Sequence, residues 1–178
     1  MGSIYLRSLE VQDISKTHKW HNDPEIYQFM IGSFRYVSLD TEQEWLRNKA
    51  TYSPTEVNLA ICLVHGSEHI GNIYLRNIDW VSRHGELEML IGCRENRSKG
   101  YGQEAVQLLV QYAFNEIGLL RLHLLVLADH PAAIHVYEKC GFIIEGRLRK
   151  HVFKGGEFKD AFFMGLCADD SKFAKSVS

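Results

Sequence analysis

Apolar and polar positions change period several times along the chain. Residues 4–9 alternate as an opening strand does, and a helix follows from near Asp13 through Trp20. Asn22-Asp23-Pro24 breaks it and starts a second short helical piece. Residues 38–50 read as a further helix, with Leu39, Trp45, Leu46 and Ala50 on its apolar side; Ser38 or Asp40 caps it, and Gln43 stands three after Asp40 as in a capping box. Residues 57–64 and 69–75 are short runs rich in β-branched residues, and His65-Gly66-Ser67-Glu68 between them has hairpin composition. A third run, residues 86–92, completes an antiparallel meander.

The period then returns to that of a helix over residues 103–117, where Ala105, Val106, Leu109, Tyr112, Ala113 and Ile117 share a face and Gly118 ends it. Residues 119–128 are almost continuously apolar, the pattern of a strand buried on both faces, so strand, helix and strand form a parallel crossover. Pro131 opens a short helix that stops at Gly141, Phe142-Ile143-Ile144 starts a strand, residues 154–157 turn, and residues 158–166 return. The tail from about residue 168 is polar and expected to fray. These elements predict an α+β fold in one domain over residues 1–178: a mixed, mostly antiparallel central sheet of six to seven strands flanked by about four helices.

Composition narrows the partner. Twenty basic residues against twenty-two acidic ones, with no basic run, argue against a sequence-independent nucleic-acid or membrane-surface binder and for a small molecule. Cys62, Cys93, Cys140 and Cys167 lie far apart without metal-ligand spacing and read as free thiols in a reducing cytoplasm. No apolar run reaches the roughly 20 residues of a membrane span, and no signal peptide or myristoylation pattern opens the chain. The expected assembly is a monomer or homodimer.

Residues 86–105 carry the candidate chemistry: an apolar strand, a polar glycine-containing turn, and a helix start. The first N–H groups of a helix lack intrahelical partners, so Gly100 and Gly102 let a phosphate approach bare backbone. Gly100-Tyr101-Gly102-Gln103-Glu104-Ala105 also matches a dinucleotide fingerprint, with Asp129 imitating its ribose-binding acid. That fingerprint places its first glycine directly after the strand, whereas residues 94–99 intervene here, and the chain lacks the further strand-helix units such a fold needs. A Walker loop is disfavoured because no Lys-Ser or Lys-Thr follows the glycines.

The wider pattern Arg97-Ser98-Lys99-Gly100-Tyr101-Gly102 resembles the Gln/Arg-x-x-Gly-x-Gly/Ala pyrophosphate loop of the GNAT superfamily of acetyl-CoA-dependent N-acetyltransferases. Downstream, His130-Pro131-Ala132-Ala133-Ile134 and Val136 to Phe142 resemble that superfamily's Asn-x-x-Ala-x-x-Leu-Tyr-x-Lys-x-Gly-Phe segment. Glu145 to Arg149, Gly155-Gly156, Asp160 and Met164 are similar to the end of the branch holding ribosomal-protein-alanine and spermidine acetyltransferases. His130 stands where the family carries Asn, and Arg94 where a proline is common. The resemblance implies a GNAT fold, acetyl-CoA as cosubstrate, and direct attack of a primary amine in a ternary complex. The amine is a protein N-terminus, a polyamine or a nucleotide-linked amino sugar.

Such a transfer needs a neutral amine, and one with a pKa near 10.4 is neutral in only about one molecule in a few thousand at pH 7, so a carboxylate base helps. Glu86 and Glu88, two apart on a strand, point to one face and are the candidates; solvated or strand-capping roles are the bland alternative. By resemblance, Tyr137 protonates the leaving sulfur, though a tyrosine there also serves as a core aromatic. Ile91, Gly92 and Cys93 would offer backbone N–H groups where the sheet splays. Arg97, Ser98 and Lys99, with the amides of Gly100, Tyr101, Gly102 and Gln103, would hold the pyrophosphate, with His130 and Lys139 as further cofactor contacts. Trp20, Asn22, Tyr27 and Phe34 are the candidate acceptor groove, with His21, Asp23, Tyr36 and Trp45 nearby, and Asp160 orients a substrate or binds a backbone turn. No metal is expected: His18 with His21 and His65 with His69 have ligand spacing, but nothing completes either set. The other class of function is a non-catalytic acyl-CoA-binding or regulatory protein.

Overall fold

The computed structural model describes residues 2–173. Its strands are β1 (Ile4–Ser8), β2 (Val57–Leu63), β3 (His69–Asp79), β4 (His84–Ile91), β5 (Arg121–Leu127), β6 (Ile143–Lys154) and β7 (Glu157–Cys167). They form one sheet in the order β1-β2-β3-β4-β5-β7-β6, antiparallel throughout except for the parallel pair of β4 and β5. The helices are α1 (Ile14–His21), α2 (Pro24–Tyr27), α3 (Leu39–Ala50), α4 (Tyr101–Asn115) and α5 (Pro131–Lys139), α2 being a single turn. None among the described residues is long and apolar enough to cross a membrane.

The two-residue period of the strands sorts the core into two layers. Ile73, Leu75 and Leu87 face the side covered by α4, where Leu109, Val106 and Ala113 meet Leu122, Leu124 and Phe142. Ala60 and Cys62 face the other side and pack with Leu9 and Leu46 under α1 and α3, while Leu90 meets Trp20 and Ile26. A largely buried cluster ties the first strand to β3: Nη1 and Nη2 of Arg7 donate to the Asp13 carboxylate at 2.8 and 2.7 Å, and His69 Nδ1 stands 3.3 Å from the same carboxylate.

Local outcomes differ from the sequence expectation where tertiary packing intervenes. Ser38, not Asp40, caps α3: its hydroxyl accepts from the Thr41 N–H at 3.2 Å. Strand β5 alternates between buried and half-buried because only one face is fully covered; on the other, His123 stacks on Phe163. The sheet-edge position of β6 leaves Ile143 and Ile144 in solvent. The described part of the tail, residues 168–173, holds ordered contacts. Ala168–Asp170 form a 3-10 turn, Ser171 is buried, and Asn115 donates to the Phe173 carbonyl at 3.0 Å. Residues 174–178 lie outside the described residues.

Candidate functional site

The site is made by strands that pair and then part. β4 and β5 are matched only at His84 with Arg121, Gly85 with Leu122 and Glu86 with His123. Beyond that point β4 keeps its partner β3 but loses β5. The Gly92 N–H donates to Ile70 O at 2.9 Å, so alternation turns the backbone groups of Met89 and Ile91 toward the gap. Gly92, expected to offer its own N–H, therefore serves differently. A Cβ there would lie 2.0 Å from the Trp20 ring, so the glycine makes room for that indole. Gly92→Ala should cost about 1–3 kcal/mol through overpacking, read as a lowered midpoint in thermal unfolding.

At the far end of the gap the chain turns through a 3-10 segment, Arg94–Asn96, and into α4. Gly100 caps α4 with φ of 86°, a left-handed conformation that disfavours side chains, and Ser98 shares that region at 59°. The Glu104 N–H is the first to bond within the helix, to Gly100 O at 3.0 Å, leaving the N–H groups of Tyr101, Gly102 and Gln103 as free donors. Ser98 and Lys99 are exposed beside them, whereas Arg97 donates its Nε–H to Ile91 O at 3.2 Å and braces the turn. Free amides, helix dipole and a lysine fit a diphosphate. His130 occupies the cap position of α5, its ring 4.7 Å from Phe29, and burial holds its pKa below the usual value, favouring the neutral imidazole. Lys139 is exposed at the end of α5.

Glu88 stands two residues past Glu86, the last position of β4 paired with β5, and opposite Tyr74 on β3. Arg76 Nε lies 3.2 Å from Glu88 Oε2, a charge contact whose N–H is not aligned as a hydrogen bond, and its guanidinium sits 4.6 Å over the Tyr74 ring. Burial raises the Glu88 pKa above the ordinary glutamate value; Arg76 opposes the shift and the charge of Glu86 adds to it. Glu86 itself accepts from Asn77 Nδ2 at 2.8 Å and lies where β4 and β5 are still paired. Tyr137, on α5, is 7% exposed, and its hydroxyl has no partner among the described residues. Burial, then the charges of Cys140 and Glu88, raise its pKa, so it keeps its proton. Glu88 thus stands beyond the paired part of β4, and its charge contributes to the raised Tyr137 pKa.

The expected acceptor residues divide. Trp20 is buried at 2% exposure, edge-on to His69, and belongs to the core. Asn22 bonds His18 O, Val37 O and the Val37 N–H, fastening the loop before α3. Asp160 accepts from the Lys150 N–H at 2.8 Å and from Arg147, and so holds a backbone turn in β6. Tyr27 and Phe34, with ring centroids 5.6 Å apart, do line a cavity. His18 reaches Val37 O, and His21 reaches the buried Glu42 carboxylate at 2.6 Å. Tyr74 and Arg76 were not anticipated; only the β3–β4 register reveals that they share a face with Glu88.

Residues 3–143 match the model of the acetyltransferase (GNAT) domain. The spermidine N(1)-acetyltransferase of Vibrio cholerae is 30% identical over 159 residues, covering 89% of this chain and 90% of the relative. That of Escherichia coli K12 is 30% identical over 165 residues, covering 91% and 84%. The crystal structure of the Vibrio cholerae spermidine N-acetyltransferase in complex with CoA and spermine superposes with a TM-score of 0.87 at 28% identity, over 94% of this chain and 97% of that one.

Proposed function

Since this chain belongs to the GNAT acetyltransferase family and is an acetyl-CoA-dependent N-acetyltransferase of primary amines, we propose that Glu88 is its base and Tyr137 its acid. In the same reading the turn from Ser98 to Gln103 holds the coenzyme's diphosphate. What supports this is the early end of the β4–β5 pairing: Glu88 lies beyond the last paired position, its charge contributes to the raised Tyr137 pKa, and β4 leads on to the Gly100 turn.

Acetyl-CoA supplies the activated acetyl thioester. The chain's own groups do the rest. Glu88, its pKa raised by burial, takes a proton from an ammonium more readily than a solvated glutamate does. The Arg76 guanidinium favours the charged carboxylate and so limits the shift. The N–H groups of Met89 and Ile91 aim into the gap as fixed donors. Tyr137 Oη, neutral and without a partner among the described residues, is a donor for the leaving group. Glu86, bound to Asn77, is the weaker base candidate. The enzyme is read as one cytoplasmic domain, monomer or homodimer, acting on a small-molecule amine or a peptide N-terminus.

The deciding experiment is calorimetry with acetyl-CoA and with NAD, followed by thiol release over a panel of amines. Spermidine, the acceptor named for the relatives, is in that panel with an amino acid, a peptide N-terminus and a nucleotide-linked amino sugar. Acetyl-CoA binding with turnover of at least one amine is expected. Preferential NAD binding, or coenzyme binding without any turnover, sinks the reading.

A further inference from the structure

The cavity lined by Tyr27 and Phe34 has a volume of about 540 Å³ and lies between α2 with its following loop and the β6–β7 hairpin. Phe29 and Phe153 add further ring surface, 44% and 58% exposed. Tyr27 links this space to the reacting end. It packs against the cluster of Trp20, Ile26 and Leu90, and Leu90 stands two residues along β4 from Glu88, on the same face of the strand.

The charges at the rim are unequal. Lys159 is neutralised by Asp129 at 2.6 Å and by Glu157 at 3.5 Å. Lys154 makes no ion pair among the described residues: its ammonium donates to the carbonyls of Tyr27 and Gly32, at 2.7 and 2.6 Å, which leaves one N–H and the whole positive charge uncompensated. Burial and Lys159 lower its pKa, so an anion beside it would relieve both effects. A linear polyamine would bring a further ammonium to this cation, with the neighbouring carboxylates already occupied. An aromatic wall and one unpaired ammonium suit the opposite chemistry, a flat π-system joined to an anion.

We propose that this cavity is the distal acceptor subsite and takes an amine that carries a heteroaromatic ring and a phosphate, the chemistry of a nucleoside-diphosphate-linked amino sugar. The ring packs against Tyr27, Phe34 and Phe153, the phosphate pairs with Lys154, and the amine reaches Glu88. The inference rests on the acetyl-transfer reading above.

The probe is uridine diphosphate, titrated into protein saturated with CoA so that the coenzyme's own site is filled. Binding is expected, weakened about tenfold or more in Lys154→Gln, which keeps an N–H for the two carbonyls but loses the charge, and similarly in Phe34→Leu, which keeps apolar volume but loses the ring. CoA affinity and thermal midpoint should stay as in the parent. In thiol release, Lys154→Gln should raise KM for a uridine-diphosphate-linked amino sugar with kcat retained. If uridine diphosphate fails to bind, if Lys154→Gln binds it equally well, or if spermidine has the higher kcat/KM, the subsite assignment is overturned. Turnover of spermidine alone would leave acetyl transfer standing; absence of turnover with every amine would remove that reading, while the titration still decides the cavity.

Discussion

Glu88→Gln should lower kcat/KM about 10²–10³-fold, roughly 2.7–4 kcal/mol of transition-state stabilisation. Gln matches Glu in shape, so the packing against Tyr74 is kept while proton affinity is lost. The pH profile distinguishes a base from a structural carboxylate. Burial raises the Glu88 pKa, and the basic form is the active one, so activity should fall on acidification at a pH above that expected for a free glutamate. In the Gln variant this acid limb should vanish, leaving only the limb set by the acceptor's own ammonium. Glu86→Gln, whose carboxylate is held by Asn77 in the paired part of the sheet, should change the rate by less than about threefold. Equal losses in both variants would show that the two carboxylates act together or that neither is the base.

The legibility of this chain in its sequence follows the range of the interactions involved. Element order, the hairpin at residues 65–68 and the glycine turn that opens α4 rest on local chemistry: the helical period, glycine at positive φ, orphan N–H groups at a helix start. All were readable from adjacent residues. Long-range pairing was not. That Gly92 exists for Trp20, and that Trp20 is core rather than groove, depends on a ring arriving from α1. Asn22 and Asp160 are polar side chains of the kind that bind ligands, yet Asn22 is held by the backbone of Val37 and His18, and Asp160 by the Lys150 N–H and the Arg147 guanidinium. Arg76 and Tyr74 were invisible for the same reason, because a strand's face is known from its period but its cross-strand neighbour only from register. The choice between Glu86 and Glu88 turns on where β4 leaves β5, a point two residues wide that composition does not mark.

Tyr137→Phe should reduce kcat about 10²–10³-fold while changing coenzyme affinity less than about threefold. Removing Oη orphans no buried group, because that hydroxyl has no partner among the described residues; stability should be unchanged or slightly higher. Full turnover in the variant would mean that the sulfur is protonated by water. The stronger test uses the coupling to Glu88. Burial is the main cause of Tyr137's raised pKa, but the negative charge of Glu88 contributes, and that charge disappears when Glu88 accepts the amine's proton. Protonating the base therefore lowers the barrier to proton release from the acid, in the direction the reaction needs. Two consequences follow from this sign. In Glu88→Gln the Tyr137 phenol should titrate at a lower pH than in the parent, read by ultraviolet difference absorbance against the Tyr137→Phe variant. The double variant should lose less activity than the product of the two single losses, because each single change already breaks the shared proton balance. Strict additivity, with an unmoved phenol titration, would separate the two groups and leave Glu88 without its proposed influence on the acid.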